Sequence, residues 1–214
     1  MSDAQLDVLA IGTLARNRYW GEEADVREEF ATTSLVRSGE AIIVVDPGWP
    51  AEVLEAVLFY RSGLRPEAVT HVFLTHVDPA HVRGIAAFAE ARWMAYAEEL
   101  VYARSRLADD PEVAAILSHL VEAPEKLAPG VDIFPTPGHS PGHTSLMVNT
   151  PIQTTILAGD AVLTRDHLDH GDLGPTVFDR DQAGESFREL LEVADFLVPG
   201  HDNIQWLRSG FGLM

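Results

Sequence analysis

Residues 75–84 read THVDPAHVRG, which sets two histidines, His76 and His81, five positions apart with Asp78 between them, directly after the apolar run VFL. Imidazole nitrogen and carboxylate oxygen are natural ligands for Zn(II) and also suit Fe or Mn, so the stretch can open a metal site. It can equally open a helix. Asp78 followed by Pro79 carries the signature of an N-cap and a first helical proline, as do Asp110 and Pro111. Asp78 is therefore readable as a ligand, as a cap, or as both through its two oxygens.

The rest of the chain favours the metal. AIIVVD ends in Asp46, VFLTH in His76, IFPTPGH in His139, TTILAGD in Asp160 and FLVPGH in His201. Packing gives no reason for apolar, strand-like runs to end repeatedly in Asp or His. Strand ends along one edge of a sheet form a rigid rim, and ligands grouped on such a rim hold the geometry a metal needs. Gly138, Gly159 and Gly200 stand directly before three of these residues, where tight turns and close backbone approach are needed. The other histidines read differently. His71 inside THVFL is expected in the core and His119 on a helix surface or core edge, while His143 is open between a bond that supports a ligand and plain packing. His167 and His170 fall in the loop 165–179, which could reach the site and supply a ligand, although solvated loop histidines are common.

The elements that must position these groups alternate along the chain. Strands are expected at DVLAIG, TSLVR, AIIVV, HVFLT, WMAY, VDIFPT, TSLMV, TTILAG and FLVPG. Helices are expected over Ala51 to Arg61, Pro79 to Ala91, Glu98 to Leu107, Pro111 to Val121 and Gln182 to Ala194. This is a layered α/β pattern, and nothing in the composition marks a linker, so residues 1–214 are read as a single domain. RNRYW, Arg16 to Trp20, falls in a loop after the first strand, where Tyr19 and Trp20 could line an apolar pocket or pack in the core. The apolar C-terminal segment IQWLRSGFGLM is expected to tuck against the body or against a second copy, which makes a homodimer an expectation.

Composition narrows the partners. The 15 Lys and Arg against 33 Asp and Glu leave a net charge of −18, a field that repels nucleic acid and anionic membrane surfaces. The acidic runs GEEADVREEF and DRDQAGESFREL are read as solvated faces. The absence of cysteine excludes disulfides, iron–sulfur clusters and thiolate zinc sites. The N-terminus lacks the charge and apolar run of an export signal, and no window approaches the roughly 18 apolar residues of a membrane span, so a cytoplasmic location is expected.

VVDPG, THVDPAH, TPGHSPGHTSL, LAGD and VPGH, in this order and at these spacings, resemble the metallo-β-lactamase superfamily over roughly residues 7 to 203. The resemblance implies a four-layer αββα sandwich of two mixed β-sheets flanked by helices, with a metal site at one edge. It further implies His76 and His139 as ligands of a first metal, His81 and His201 of a second, Asp160 as the bridging carboxylate, and Asp46 as a residue that orients ligand histidines. The sequence departs from the family pattern His-x-His-x-Asp-His at two places. Residues 76 to 81 are His, Val, Asp, Pro, Ala, His, so Asp78 replaces the second histidine and Ala80 the aspartate. Ala80 cannot bind a metal or accept a proton, which weakens the second site. Asp78 would make the first site harder, tilting it toward Mn or Fe without excluding Zn.

These features imply a metal-dependent hydrolase acting on a small ester, thioester or lactone through hydroxide generated on a metal, with Asp78 and Asp160 as candidate catalytic carboxylates. One or two divalent ions are expected, with zinc foremost. The stretch GDAVLTRDHLDHGDL is loosely similar to a loop of acyl-homoserine lactone lactonases. Two other readings stay open. His76, His139 and Asp160 alone would form a two-histidine, one-carboxylate triad suited to mononuclear Fe(II), as in persulfide dioxygenases of the same superfamily. The two departures in one motif also fit a catalytically impaired binding protein on the same scaffold.

Overall fold

Side chains along a β-strand alternate between faces, and the apolar residues of the central strands sort accordingly. In Ala41–Val45, Ile43 and Val45 face one way while Ile42 and Val44 face the other; in His71–Leu74, Phe73 opposes Val72 and Leu74. Strands apolar on both faces must be covered on both. The computed structural model, which describes residues 4–107 and 110–207, shows how.

One six-stranded sheet runs in the order β1 (Gln5–Ala10), β2 (Thr33–Ser38), β3 (Ala41–Val45), β4 (His71–Leu74), β5 (Arg92–Ala95), β6 (Val121–Glu122). Its first three strands pair antiparallel and the rest parallel. The other sheet runs β12 (Gln205–Trp206), β11 (Phe196–Pro199), β10 (Thr154–Gly159), β9 (Thr144–Asn149), β8 (Val131–Pro135), β7 (Lys126–Ala128). Only β10 and β11 are parallel neighbours in it. Between the sheets lie Val36, Ile43, Val45, Phe73 and Met94 from the first and Val131, Leu146, Val148, Leu157 and Val198 from the second. Helices α1 (Ala51–Ser62), α3 (Ala97–Leu107) and α4 (Pro111–His119) cover the outer face of the first sheet through Leu54, Leu58, Leu100, Val113 and Leu117. Helix α6 (Arg180–Val193) covers the second through Phe187 and Leu190. Three apolar seams thus separate four layers, the expected αββα sandwich.

Strand direction builds the rim. β3 and β4 are parallel in one sheet, while β8, β10 and β11 share a direction in the other, so the residues that follow them emerge at common edges. Backbone bonds tie the two edges together: Thr144 N–H donates to the Thr75 carbonyl at 2.9 Å and Thr32 N–H to that of Gly200 at 2.6 Å.

Three expectations need correction. The helix expected over Pro79 to Ala91 is a single turn, α2 (Pro79–Val82), followed by a 3-10 turn over Ile85–Phe88. The helix ends at Gly84, whose N–H donates to the Pro47 carbonyl at 2.8 Å while the Ala80 carbonyl accepts from Ala31, and where a methyl would stand 2.1 Å from the Trp49 carbonyl oxygen. Part of the loop after Asp160 is helical, α5 (Arg165–His170), capped by Thr164. The short strands β6, β7 and β12 carry too few residues for any alternation to show. β12 pairs with β11 and Leu207 packs near α6, so the C-terminal segment is tucked in that far; residues 208–214 lie outside the described residues.

Phe73 is fully buried at the centre of the inter-sheet seam, three residues before His76. Phe73→Ala is expected to cost about 3–5 kcal/mol, read as a lower denaturant midpoint with an unchanged m-value.

Candidate metal centre

The carboxylate of Asp160, at the end of β10, divides its oxygens between two pairs of histidines. Oδ1 stands 3.2 Å from His81 Nε2 and 3.2 Å from His201 Nε2. Oδ2 stands 3.6 Å from His139 Nε2 and 3.9 Å from His76 Nε2. The five residues come from the ends of β4, β8, β10 and β11 and from α2, so four separate segments beyond the Asp160 strand converge on one carboxylate.

The rings of His76 and His201 are oriented by hydrogen bonds at their far nitrogens, and that of His81 lies with its far nitrogen beside a carboxylate. Thr75 Oγ1 donates to Asp46 Oδ2 at 2.8 Å and stands 3.2 Å from His76 Nδ1, so the His76 ring gives its proton to that hydroxyl and leaves Nε2 bare. Asp46 also accepts the Thr75 N–H at 2.9 Å and lies 3.1 Å from His81 Nδ1. His201 Nδ1 donates to the Phe30 carbonyl at 2.9 Å. His143 is not turned to the centre: its Nε2 accepts the backbone N–H of Asp160 at 3.0 Å, and its Nδ1 meets the carbonyl and hydroxyl of Thr136 at 3.1 and 2.9 Å. That settles its open reading in favour of a support for Asp160. Asp46 holds φ at +48, an unfavourable value for a residue with a side chain, and its backbone is pinned there by bonds to Phe73, Thr33 and Gly48.

The charges follow from burial and from these neighbours. Burial works against an ionised Asp160, but His201, His81 and His139 outweigh it and hold the carboxyl well below its usual range. Burial opposes charge on His81 and His201 as well, yet Asp160, with Asp46 beside His81, raises both. His76 is pushed well below the usual imidazole range, first by burial and then by the His81 charge, and burial lowers His143 to about 3, so both are neutral.

Even so, His76 Nε2, His81 Nε2 and Asp160 Oδ1 are buried without a hydrogen-bond partner. Unpartnered buried polar atoms cost about 1–3 kcal/mol each and call for an explanation. A cation supplies one. His76, His81 and Asp160 each bring a ligand atom within 4.8 Å of the other two. Donors on one tetrahedral zinc stand about 3.4 Å apart for bonds of about 2.1 Å, close to the separations around Asp160 Oδ1. The residues present therefore fit a divalent metal.

Asp78 caps α2, its Oδ1 accepting the Ala80 N–H at 2.9 Å, and it also lines the cavity beside the histidines. His167 and His170 do not join the centre: Tyr19 stacks on His170, meets His167 edge-on and donates to Asp172. Neither Tyr19 nor Trp20 lines the cavity, and Trp20 is exposed. His71 and His119 play no part.

Two carboxylates that the sequence did not single out stand at the site. Glu99 on α3 is buried, accepts the Val77 N–H at 2.9 Å and the Ser140 hydroxyl, and so joins the loops that carry His76 and His139. Burial pushes its carboxyl up. Glu29 lies 3.5 Å from His201 Nε2 and is likewise raised by burial, so the run GEEADVREEF is not solvent-facing throughout. The cavity, about 500 Å³, is lined by the polar residues Glu29, His76, Asp78, His139 and Asp160 and by the apolar or aromatic side chains of Tyr102, Leu107, Val177 and Phe178. No helix among the described residues is long and apolar enough to cross a membrane.

A two-sheet α/β sandwich with histidines and a shared carboxylate at one edge defines a class of metal-binding proteins. The family model of the Metallo-beta-lactamase superfamily matches residues 26–201, and the chain belongs to that superfamily. It is 30% identical over 151 residues to an N-acyl homoserine lactonase of Bacillus thuringiensis, a match covering 66% of this chain and 59% of the relative. It is 31% identical over 133 residues to a hydroxyacylglutathione hydrolase of Neisseria gonorrhoeae, covering 61% of this chain and 47% of the relative. The chain thus spans about half to three fifths of the length of these curated relatives. Among solved structures, an N-acyl homoserine lactone hydrolase with N-hexanoyl-L-homoserine bound at its catalytic metal centre aligns with a TM-score of 0.68 at 21% identity, covering 93% of this chain and 92% of that one. AidC, a dizinc quorum-quenching lactonase, aligns at 0.67 and 17% identity, covering 99% and 92%.

A methyl built on Gly200 would stand 2.2 Å from Asp160 Oδ1. Gly200→Ala is expected to displace the carboxylate, lowering stability by about 1–3 kcal/mol in chemical denaturation and reducing the metal retained after dialysis.

Proposed function

We propose that the chain is a metal-dependent hydrolase of a small acyl compound, an ester, thioester or lactone. In this reading it holds one or two divalent ions, zinc foremost, through His76, Asp78, His81, His139, Asp160 and His201. The observation that carries it is the buried Asp160 carboxylate shared between two histidine pairs, with the inward nitrogens of His76 and His81 lacking hydrogen-bond partners, beside a cavity open to a small molecule. Divalent ions so held would supply Lewis acidity, lowering the pKa of water toward about 7 and polarising a carbonyl.

The chain's own residues do the rest. Asp160 anchors both halves of the centre, and Asp46 with Thr75 fixes the rings of His76 and His81. Asp78 sits on the cavity wall with one oxygen committed to its cap, leaving the carboxylate placed to orient water or take a proton. Tyr102, Leu107, Val177 and Phe178 offer apolar surface to an acyl chain. The similarity to a lactonase and to a hydroxyacylglutathione hydrolase supports this substrate class. The net charge of −18 opposes a polyanionic substrate.

Apo-protein reloaded separately with Zn(II), Mn(II) and Fe(II) is expected to hydrolyse at least one member of an ester, thioester and lactone panel. Absence of turnover with all three metals, or oxygen uptake with a thiol persulfide in its place, overturns the reading. Asp78→Asn keeps an equally good N-cap and is expected to melt within about 0.5 kcal/mol of the parent. Its turnover is expected to fall at least about tenfold, the loss assigned to a positioned proton acceptor; unchanged turnover would confine Asp78 to capping.

A further inference from the structure

Position 80 carries a methyl group where the family pattern places an aspartate, so a second ion held by His81, His201 and Asp160 would lack a carboxylate. We propose that Glu29 supplies it: the segment that packs against Ala80 brings a carboxylate to the His81–His201 side of the centre, from outside the motif. The inference rests on the metal-centre reading above.

Four observations support it. Glu29 Oε1 is 3.5 Å from His201 Nε2, which is itself 3.2 Å from Asp160 Oδ1, as is His81 Nε2. Each of these three separations is close to the roughly 3.4 Å between donors on one zinc ion, and together they link Glu29 to Asp160 and His81 through His201, beside the tighter group of His76, His81 and Asp160. His81 Nε2 and Asp160 Oδ1 are buried, aimed into this space and unpartnered, which points to a cation independently of Glu29. The two residues after Glu29 are part of the site's framework: Phe30 accepts the His201 Nδ1 proton at 2.9 Å, and the Ala31 N–H donates to the Ala80 carbonyl at 3.1 Å.

The segment is also held in place. Phe30 exchanges two backbone bonds with Thr13, at 2.8 and 3.0 Å, and stacks on Trp49 with ring centroids 4.3 Å apart. Arg83, next after α2, pairs with Glu28 and lies over the Phe30 ring. A carboxylate on such a support is preorganised rather than swept in from a free loop. Neither His167 nor His170 competes for the role, since both are engaged with Tyr19.

The competing account is an ion pair between Glu29 and a protonated His201, without metal contact. Metal stoichiometry separates the two. The full chain, stripped and dialysed against buffered free Zn(II), is expected to bind two equivalents by elemental analysis. Glu29→Gln is expected to keep the first and weaken the second at least about tenfold, the lower bound expected when even a residue supporting a ligand is lost. Co(II) loading is expected to show the same loss as a reduced d–d absorption per chain. Glu28→Gln, beside it, should bind as the parent does, and adding Ala80→Asp to Glu29→Gln should restore the second equivalent. Glu29→Gln binding two equivalents with parental affinity overturns the proposal, as does a parent that binds only one. A parent that binds none overturns the metal-centre reading itself, a result distinguishable from either.

Discussion

A carboxylate buried at the junction of two sheets is the constraint around which this molecule is arranged. Asp160 is 8% exposed and ionised, and an isolated charge so placed would be prohibitively costly. Four imidazoles surround it, its backbone N–H is bonded to a fifth, and Gly200 yields the space that a side chain would otherwise fill. Thr75, Asp46 and Phe30 stand behind His76, His81 and His201, and Thr136 behind His143. The metal reading and the fold therefore rest on the same atoms: the strands meet here because their ends must neutralise Asp160 together.

The supporting groups carry their own cost. Asp46 holds a left-handed backbone, worth of order 1–3 kcal/mol, and does so only because the Phe73 carbonyl, the Gly48 N–H, the Thr33 hydroxyl and Thr75 over-determine it. In that conformation its carboxylate reaches both Thr75 and His81, coupling the two halves of the motif that begins at His76. Glu99 plays a comparable part between the loops of His76 and His139. Gly142 lets α3 come close enough for this, since a methyl there would meet the Glu99 backbone nitrogen at 1.9 Å. Rigidity of this kind keeps the imidazole nitrogens aimed toward Asp160.

What could be read in the sequence, and what could not, follows from locality. The long apolar runs that form β3, β4, β8, β9, β10 and β11, together with the Asp or His beyond most of them, are local patterns, and the layered α/β class with five rim residues is legible from them. The break in the helix after Val82 was not, because Gly84 is required by the Trp49 carbonyl, which is remote in sequence. Glu99 looked like one of many helix-surface acids, and only the packing of α3 against the Ser140 loop buries it. His143 stood open between two readings because its partner is the backbone N–H of Asp160, an acceptor relationship that no residue pattern encodes.

A motif written along one turn of chain records only the ligands that this turn contributes. In THVDPAH the cap at Asp78 and the methyl at Ala80 look like two losses from a metal site, and read alone they argue for decay. Yet the surrounding atoms keep the demands of a metal centre, with a bare nitrogen on His76, an unpartnered Asp160 oxygen and a ring orientation for His201 set by Phe30. If the site had stopped binding a cation, these buried acceptors would carry an uncompensated penalty of roughly 1–3 kcal/mol each. That is a substantial fraction of the 5–15 kcal/mol that typically separates folded from unfolded protein. The architecture behind the motif, more than the motif's letters, therefore supports the proposed metal centre.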